Sequence, residues 1–362
     1  MIAEATFGKA LHMARLHVHG PVFMEKVSFN EVDFEDARVD GVLLISGATF
    51  AKAPKMNGLH VGGDFILEKS QLAGVEAAYL MFSEIGSNLD ISDSLLPSVD
   101  LTGTRVRGEF RLGSKYHPPA QWQEGAKLTL RNTEVGALQD HPHAWPKEVD
   151  LDGFIYRHLG GQGAAGPNDI LNRDVFWFRE WLEKQQPYSP QPYEQLASVF
   201  LKAGHKDKAE KILYESKERQ RREVATGTAI LWLTILKIFI GYGYHTVSYL
   251  VCWAMAFIGI GVVMLKLSTE NPFNEPWKSD RGAMPMWVHN LCSQRMVSSV
   301  ERFLPLIAYS VDRFLPVVRL REYHYSKIEL RGWLVYYFYF HQMMGFILAS
   351  LLIAGVTGLA EK

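Results

Sequence analysis

The sequence repeats one pattern five times. Segments beginning at Val18, Val39, Val61, Ile85 and Val106 start 21, 22, 24 and 21 residues apart. Two residues on, each has a small residue (Gly20, Gly41, Gly63, Ser87, Gly108). Four and six residues on, each has apolar ones (Val22, Leu43, Phe65, Leu89, Phe110, then Met24, Ile45, Leu67, Ile91, Leu112). In the first four copies a small or β-branched residue follows at Val27, Ala48, Ser70 and Ser94, and an apolar one at Phe29, Phe50, Leu72 and Leu96. The fifth copy loses this half, so the repeat is expected to fray there. Alternation with period two means short strands with one face buried, and a fixed period of this size means that each copy is one unit stacked on the next.

The predicted fold is therefore a β-solenoid over residues 1–158. Phe29, Phe34 and Val39 lie five apart, the spacing at which successive sides of a four-sided coil each turn one residue into the axis, as in a pentapeptide-like right-handed β-helix. The small residues permit tight corners and close approach between coils. A β-sandwich is the alternative. Leu128, Leu130 and the stretch Val149 to Phe154 extend the coil, less regularly, to about residue 155.

Composition then changes. Residues 159–168 read as a Gly-rich linker. Residues 169–225 read as helices: Val175, Phe178, Trp181 and Leu182 at helical spacing with Asp169 or Asn172 as caps, then a pair broken at Gly204, in which Tyr193, Leu196, Ala197 and Phe200 face Ala209, Ile212 and Leu213. That pair is similar to a single tetratricopeptide-like hairpin, which cannot bury its face alone and must pack on the solenoid or on a neighbouring chain.

Residues 226–362 read as a membrane domain. Segments 248–267 and 333–356 are long and apolar enough to cross a hydrocarbon core of about 30 Å as helices. Their alternative is a pair of central helices in a large soluble core. Residues 229–240 are apolar but too short to span, and they follow a basic run, so an amphipathic helix at the membrane surface is expected, with Lys217, Arg219, Arg221, Arg222 and Lys237 as its surface cations. The opening MIAEATFGKA lacks the charged and apolar regions of a signal peptide, which with that basic run places the amino-terminal domain in the cytoplasm.

Between the spans, Arg319, Arg321, Lys327 and Arg331 stand where two crossings would put them outside. Segment 303–318, with Pro305, Asp312, Arg313 and Pro316, is read as a re-entrant segment, an interfacial helix or a third span. Asp312, Arg313 and His341 are the polar or gating candidates, because ionisable groups at membrane depth need partners or water.

The repeats, WPKEVDLDGFIY (Trp145 to Tyr156), YEQLASVFLKAGHKDKA, GYGY and YSVDRFLPVV together resemble a family of bacterial membrane proteins with a pentapeptide-like β-helix and carboxy-terminal membrane helices, often labelled membrane-associated oxidoreductases. The resemblance implies a bacterial inner-membrane, multi-pass protein. The oxidoreductase label finds no GxGxxG after a strand, no CxxC and no CxxCH.

Other chemistry is sparse. Cys252 and Cys292 make neither a redox pair nor a readable disulfide. His141 and His143 flank a proline as a polar loop would, and His12, His17 and His19 read as exposed corner residues. No catalytic residue, metal or cofactor is expected, and a net charge of -1 gives no reason to expect nucleic acid. The expected function is an oligomeric channel-like or membrane-perturbing effector controlled by a cytoplasmic β-helix, which His341 and the Asp312/Arg313 segment favour; the alternative is a non-conducting membrane-anchored scaffold that binds a protein partner through the β-helix. Both have the bilayer as partner and favour a homo-oligomer, because strand edges at the ends of a solenoid need pairing or capping.

Overall fold

A computed structural model of the chain describes residues 1–72, 76–114, 117–161, 169–244, 246–267, 304, 306–315, 330 and 332–356. Most of the 159–168 linker lies outside the described residues, as do Cys292, Pro305, Pro316, Arg319, Arg321, Lys327 and Arg331. The chain divides into two compact units, Met1–Ala225 and Thr226–Lys362.

The first unit begins as a parallel β-solenoid whose register is the register of the repeat. Val18 pairs with Val39, Val39 with Val61, Val61 with Ile85 and Ile85 with Val106, and the column continues through Val135 to Tyr156. A second column runs Val22, Leu43, Phe65, Leu89, Phe110, Leu138, Leu159. Phe29, Phe34 and Val39 are all buried, as the five-residue spacing requires. Phe7, Phe29 and Phe50 stack ring on ring, with centroids 5.7 and 5.2 Å apart.

The small residues nine positions along each copy do more than make room. Ser94 Oγ donates to the Leu67 carbonyl at 3.0 Å and accepts the Ser70 amide at 3.1 Å. Ser70 Oγ in turn accepts the Ala48 amide at 3.2 Å. A second ladder runs through Ser83, Thr104 and Thr133, each donating to a carbonyl of the preceding coil. These buried hydroxyls satisfy backbone groups at corners where strand pairing lapses, and an unpaired buried amide is costly.

The fifth copy does not fray. Leu95 and Leu96 pair with Gln121 and Trp122, so Trp122 stands sixteen residues after Val106 where Leu96 stands eleven after Ile85. Five inserted residues displace the half-repeat without ending it. The next coil is one residue short instead: its register shifts between Val106 and Glu109, so that Val106 faces Val135 but Phe110 faces Leu138.

Three helices follow: α1 (Val175–Glu183), α2 (Gln191–Lys202) and α3 (Lys206–Glu223). Asp174 accepts the Trp177 amide at 2.8 Å and starts α1, while Gly204, at φ +82, ends α2. The helices share one hydrophobic core with the solenoid: Phe178, Trp181, Leu182, Leu196, Phe200 and Ile212 continue the cluster that begins at Met24. They also close the exposed edge of the last coil. Gln185 accepts the Leu151 amide, Gln191 the Gly153 amide at 2.9 Å, and Gln195 donates to the Tyr156 carbonyl at 2.7 Å. The buried pair Asp140 and Arg173 (2.6 and 3.0 Å), completed by Trp145 Nε1–H, fixes the entry to α1.

The second unit contains α4 (Thr228–Ile240), α5 (Thr246–Leu267), α6 (Trp333–Val356) and a shorter helical segment at 306–314. Two of these, α5 and α6, are long and apolar enough to cross a membrane. The expectation for 229–240 is corrected in one respect: Ile230, Leu231, Trp232, Ile235 and Ile238 are exposed along one side of the helix, and Leu233, Leu236 and Ile240 occupy the other, so α4 is apolar on both sides and not amphipathic.

Candidate functional site

Two glycines place the polar site of the second unit. A Cβ on Gly261 of α5 would lie 2.2 Å from Ser310 Oγ, and one on Gly345 of α6 would lie 1.9 Å from the Phe314 carbonyl oxygen. Only residues without side chains let the 306–314 segment fit between the two long helices this closely. Its direction follows from the packing. Leu306 and Tyr309 cluster with Leu265 and Leu334, whereas Phe314 clusters with Leu250 and Leu348. The segment thus runs alongside α6 in the same sense and against α5, reaching the middle of both. The segment packs on both long helices while Ile307 and Leu315 stay exposed.

His341 is fully buried at that level. Its Nε2–H donates to the Ser310 carbonyl at 3.1 Å, with Ser310 Oγ at 3.4 Å, and its Nδ1 lies 3.4 Å from the Tyr337 hydroxyl. Ser310 Oγ donates to the Ile258 carbonyl at 3.0 Å, which ties α5 into the same network. Phe314, Phe338 and Phe257 surround the imidazole at 5.2, 5.3 and 6.5 Å between ring centroids. Both ring nitrogens therefore have partners, inside an aromatic wall.

Asp312 is also fully buried, while Arg313 is half-buried, with its Nε 3.2 Å from the Tyr309 hydroxyl and its guanidinium over that ring at 5.4 Å. Of the three sequence candidates, His341 is held by Ser310 and Tyr337, which the sequence reading passed over. A serine in an apolar stretch carries no signal until a partner appears across from it.

The expected surface cations fare differently. Lys217 is exposed and Lys237 half-buried. Arg221 pairs with Glu218 at 2.6 Å and Arg222 with Glu183 at 3.3 Å. Arg219 is no surface residue: at 1% exposure it donates to the carbonyls of Leu182 (3.0 Å) and Gln185 (2.7 Å), capping the end of α1, and pairs with Glu223 at 2.9 Å.

A second polar cluster lies on the solenoid. His17 Nε2 and His19 Nδ1 each lie 3.0 Å from the same oxygen, Asp40 Oδ2, and Arg38 Nε donates to Oδ1 at 3.0 Å. The hydrogen bond from His17, then those from Arg38 and His19, hold the Asp40 carboxyl well below the usual carboxylate range. His12 is not part of this group; it belongs to the strand Thr6–His12, where it pairs with Asp33.

No family model matches the chain, no curated protein matches it, and no solved structure does.

Proposed function

We propose that the protein is a bacterial inner-membrane protein in which α5 and α6 cross the bilayer, the 306–314 segment is re-entrant between them, and the helices serve as a non-conducting anchor for a cytoplasmic scaffold. The observation that carries this reading is the sealed state of His341. A histidine that lines a wet path keeps a face toward water, whereas this one has both nitrogens occupied and aromatic rings around it. Membrane insertion is supported by the surfaces of the helices, since the apolar windows of α5 and α6 are only 17% and 22% buried. Central helices of a soluble core would be mostly covered, and apolar faces of this extent need lipid or protein. The pentapeptide-like solenoid, with a tetratricopeptide-like pair at its end, would present its flanks to a protein partner, and homo-oligomerisation remains part of the proposal.

A second reading, the channel-like or membrane-perturbing effector, draws on Asp312, an acidic residue with no exposure on a segment between two spans. Reconstitution separates the two. Proteoliposomes of the scaffold hold an ion gradient as empty vesicles do, and Asp312→Ala or His341→Leu leaves that unchanged. Flux that appears with the protein and is altered by Asp312→Ala would establish the effector. Release from membranes by alkaline carbonate would overturn both.

A further inference from the structure

We propose that His17, His19 and Asp40 form a binding site for a divalent transition-metal ion of the zinc class, with three protein ligands and a fourth position open to water. Extended backbone turns His17 and His19 to one exposed side, with the half-buried Val18 between them on the other. The in-register pairing of His17 with Arg38 and Val18 with Val39 then sets Asp40, one residue on, beside His19. Two imidazoles from one coil and a carboxylate from the next therefore converge. Among the described residues this is the one group of three His, Cys, Asp or Glu side chains whose ligand atoms all lie within 4.8 Å of one another.

The geometry is close to what an ion needs. Ligand atoms on a tetrahedral ion with bonds of about 2.0–2.1 Å stand roughly 3.3 Å apart. Here each facing nitrogen is 3.0 Å from Asp40 Oδ2. The two nitrogen–oxygen edges need to open by only a few tenths of an ångström while the two nitrogens, within 4.8 Å of each other, settle to the same spacing, and the imidazoles are free to do it, with side chains 43% and 81% exposed. The donor set selects the class of ion: two imidazoles and one carboxylate suit zinc and its neighbours, whereas calcium and magnesium prefer oxygen throughout. Arg38 holds Oδ1, which orients the carboxylate and leaves Oδ2 as the ligand. The ion replaces any proton on the facing nitrogens, so acid weakens binding. This inference is independent of any function assigned to the membrane helices.

The test is a calorimetric titration of ZnCl2 into the full-length chain in detergent, free of affinity tag and stripped by chelator. The wild type is expected to bind one equivalent more than the His17→Asn/His19→Asn variant, while His141→Asn/His143→Asn keeps that equivalent. Asp40→Asn is expected to weaken it by about tenfold or more. Circular dichroism checks that these exposed positions leave the fold intact. Equal stoichiometry and affinity in wild type and the His17/His19 variant would overturn the site, and undiminished affinity in Asp40→Asn would remove Asp40 from it.

Discussion

Gln185 and Leu151 are 34 positions apart in sequence, yet the side-chain oxygen of the first accepts the backbone amide of the second. Gln185 is 3% exposed, so no water replaces it when it is removed. Gln185→Leu should lower stability by about 1–3 kcal/mol, the usual cost of a buried donor left unpaired. A denaturant melt followed by circular dichroism checks this, and a loss confined to a few tenths would mean that the helices do not cap the coil.

Glycines at equivalent repeat positions should differ sharply in tolerance. A Cβ on Gly63 would lie 3.0 Å from the Gly41 backbone, whereas one on Gly20 meets nothing within 4 Å. Gly63→Val should therefore be strongly destabilising, by about 1–3 kcal/mol or more. Gly20→Ala should stay within about 0.5 kcal/mol of the parent. Thermal melts of the two variants make the comparison.

Phe82 sits at φ +55 at a corner where the neighbouring coils place Gly58 and Gly103, and the residue is 69% exposed. A bulky residue in the left-handed region costs about 1–2 kcal/mol with little burial to offset it. Phe82→Gly is expected to raise the midpoint of unfolding, and a lower midpoint would show that the ring packs against Gly103 to more effect than its backbone costs.

The Asp40 carboxyl has its pKa depressed in the folded chain by His17, Arg38 and His19. A depressed folded value means that the group stabilises the fold above its unfolded pKa of about 4 and loses that contribution as pH falls below it. In metal-free buffer the stability gap between wild type and Asp40→Asn should thus be present near neutrality and close progressively in acid. A gap that is flat from pH 7 to pH 3 would contradict the depressed value.

The columns Val18 to Val106 and Val22 to Phe110 were legible because each residue is apolar at a fixed offset, and the pairing follows that offset position for position. The later coils were legible only as a less regular extension, because two local changes of length, the five residues inserted before Trp122 and the one missing near Gly136, break the fixed offset. The need of His341 for a partner could be read from its apolar surroundings. That the partner is Ser310 could not, since it depends on Gly261 and Gly345 allowing a third segment between the helices. His17, His19 and Asp40 converge only through strand register, and their spacing of 21 to 23 residues means nothing until a coil is known to be that long.

Because strand pairing joins each coil only to its neighbours, the solenoid behaves as a ruler marked in whole coils. Excising one period between Val39 and Val61 would bring the strand at Val18 against the strand at Val61, leaving the helices at the far end with the same last coil to cover. The distance from first coil to last would shorten by one strand spacing, about 4.8 Å. The reach of this unit is thus adjustable in quanta, and a partner that contacts both ends would register the loss of a single one.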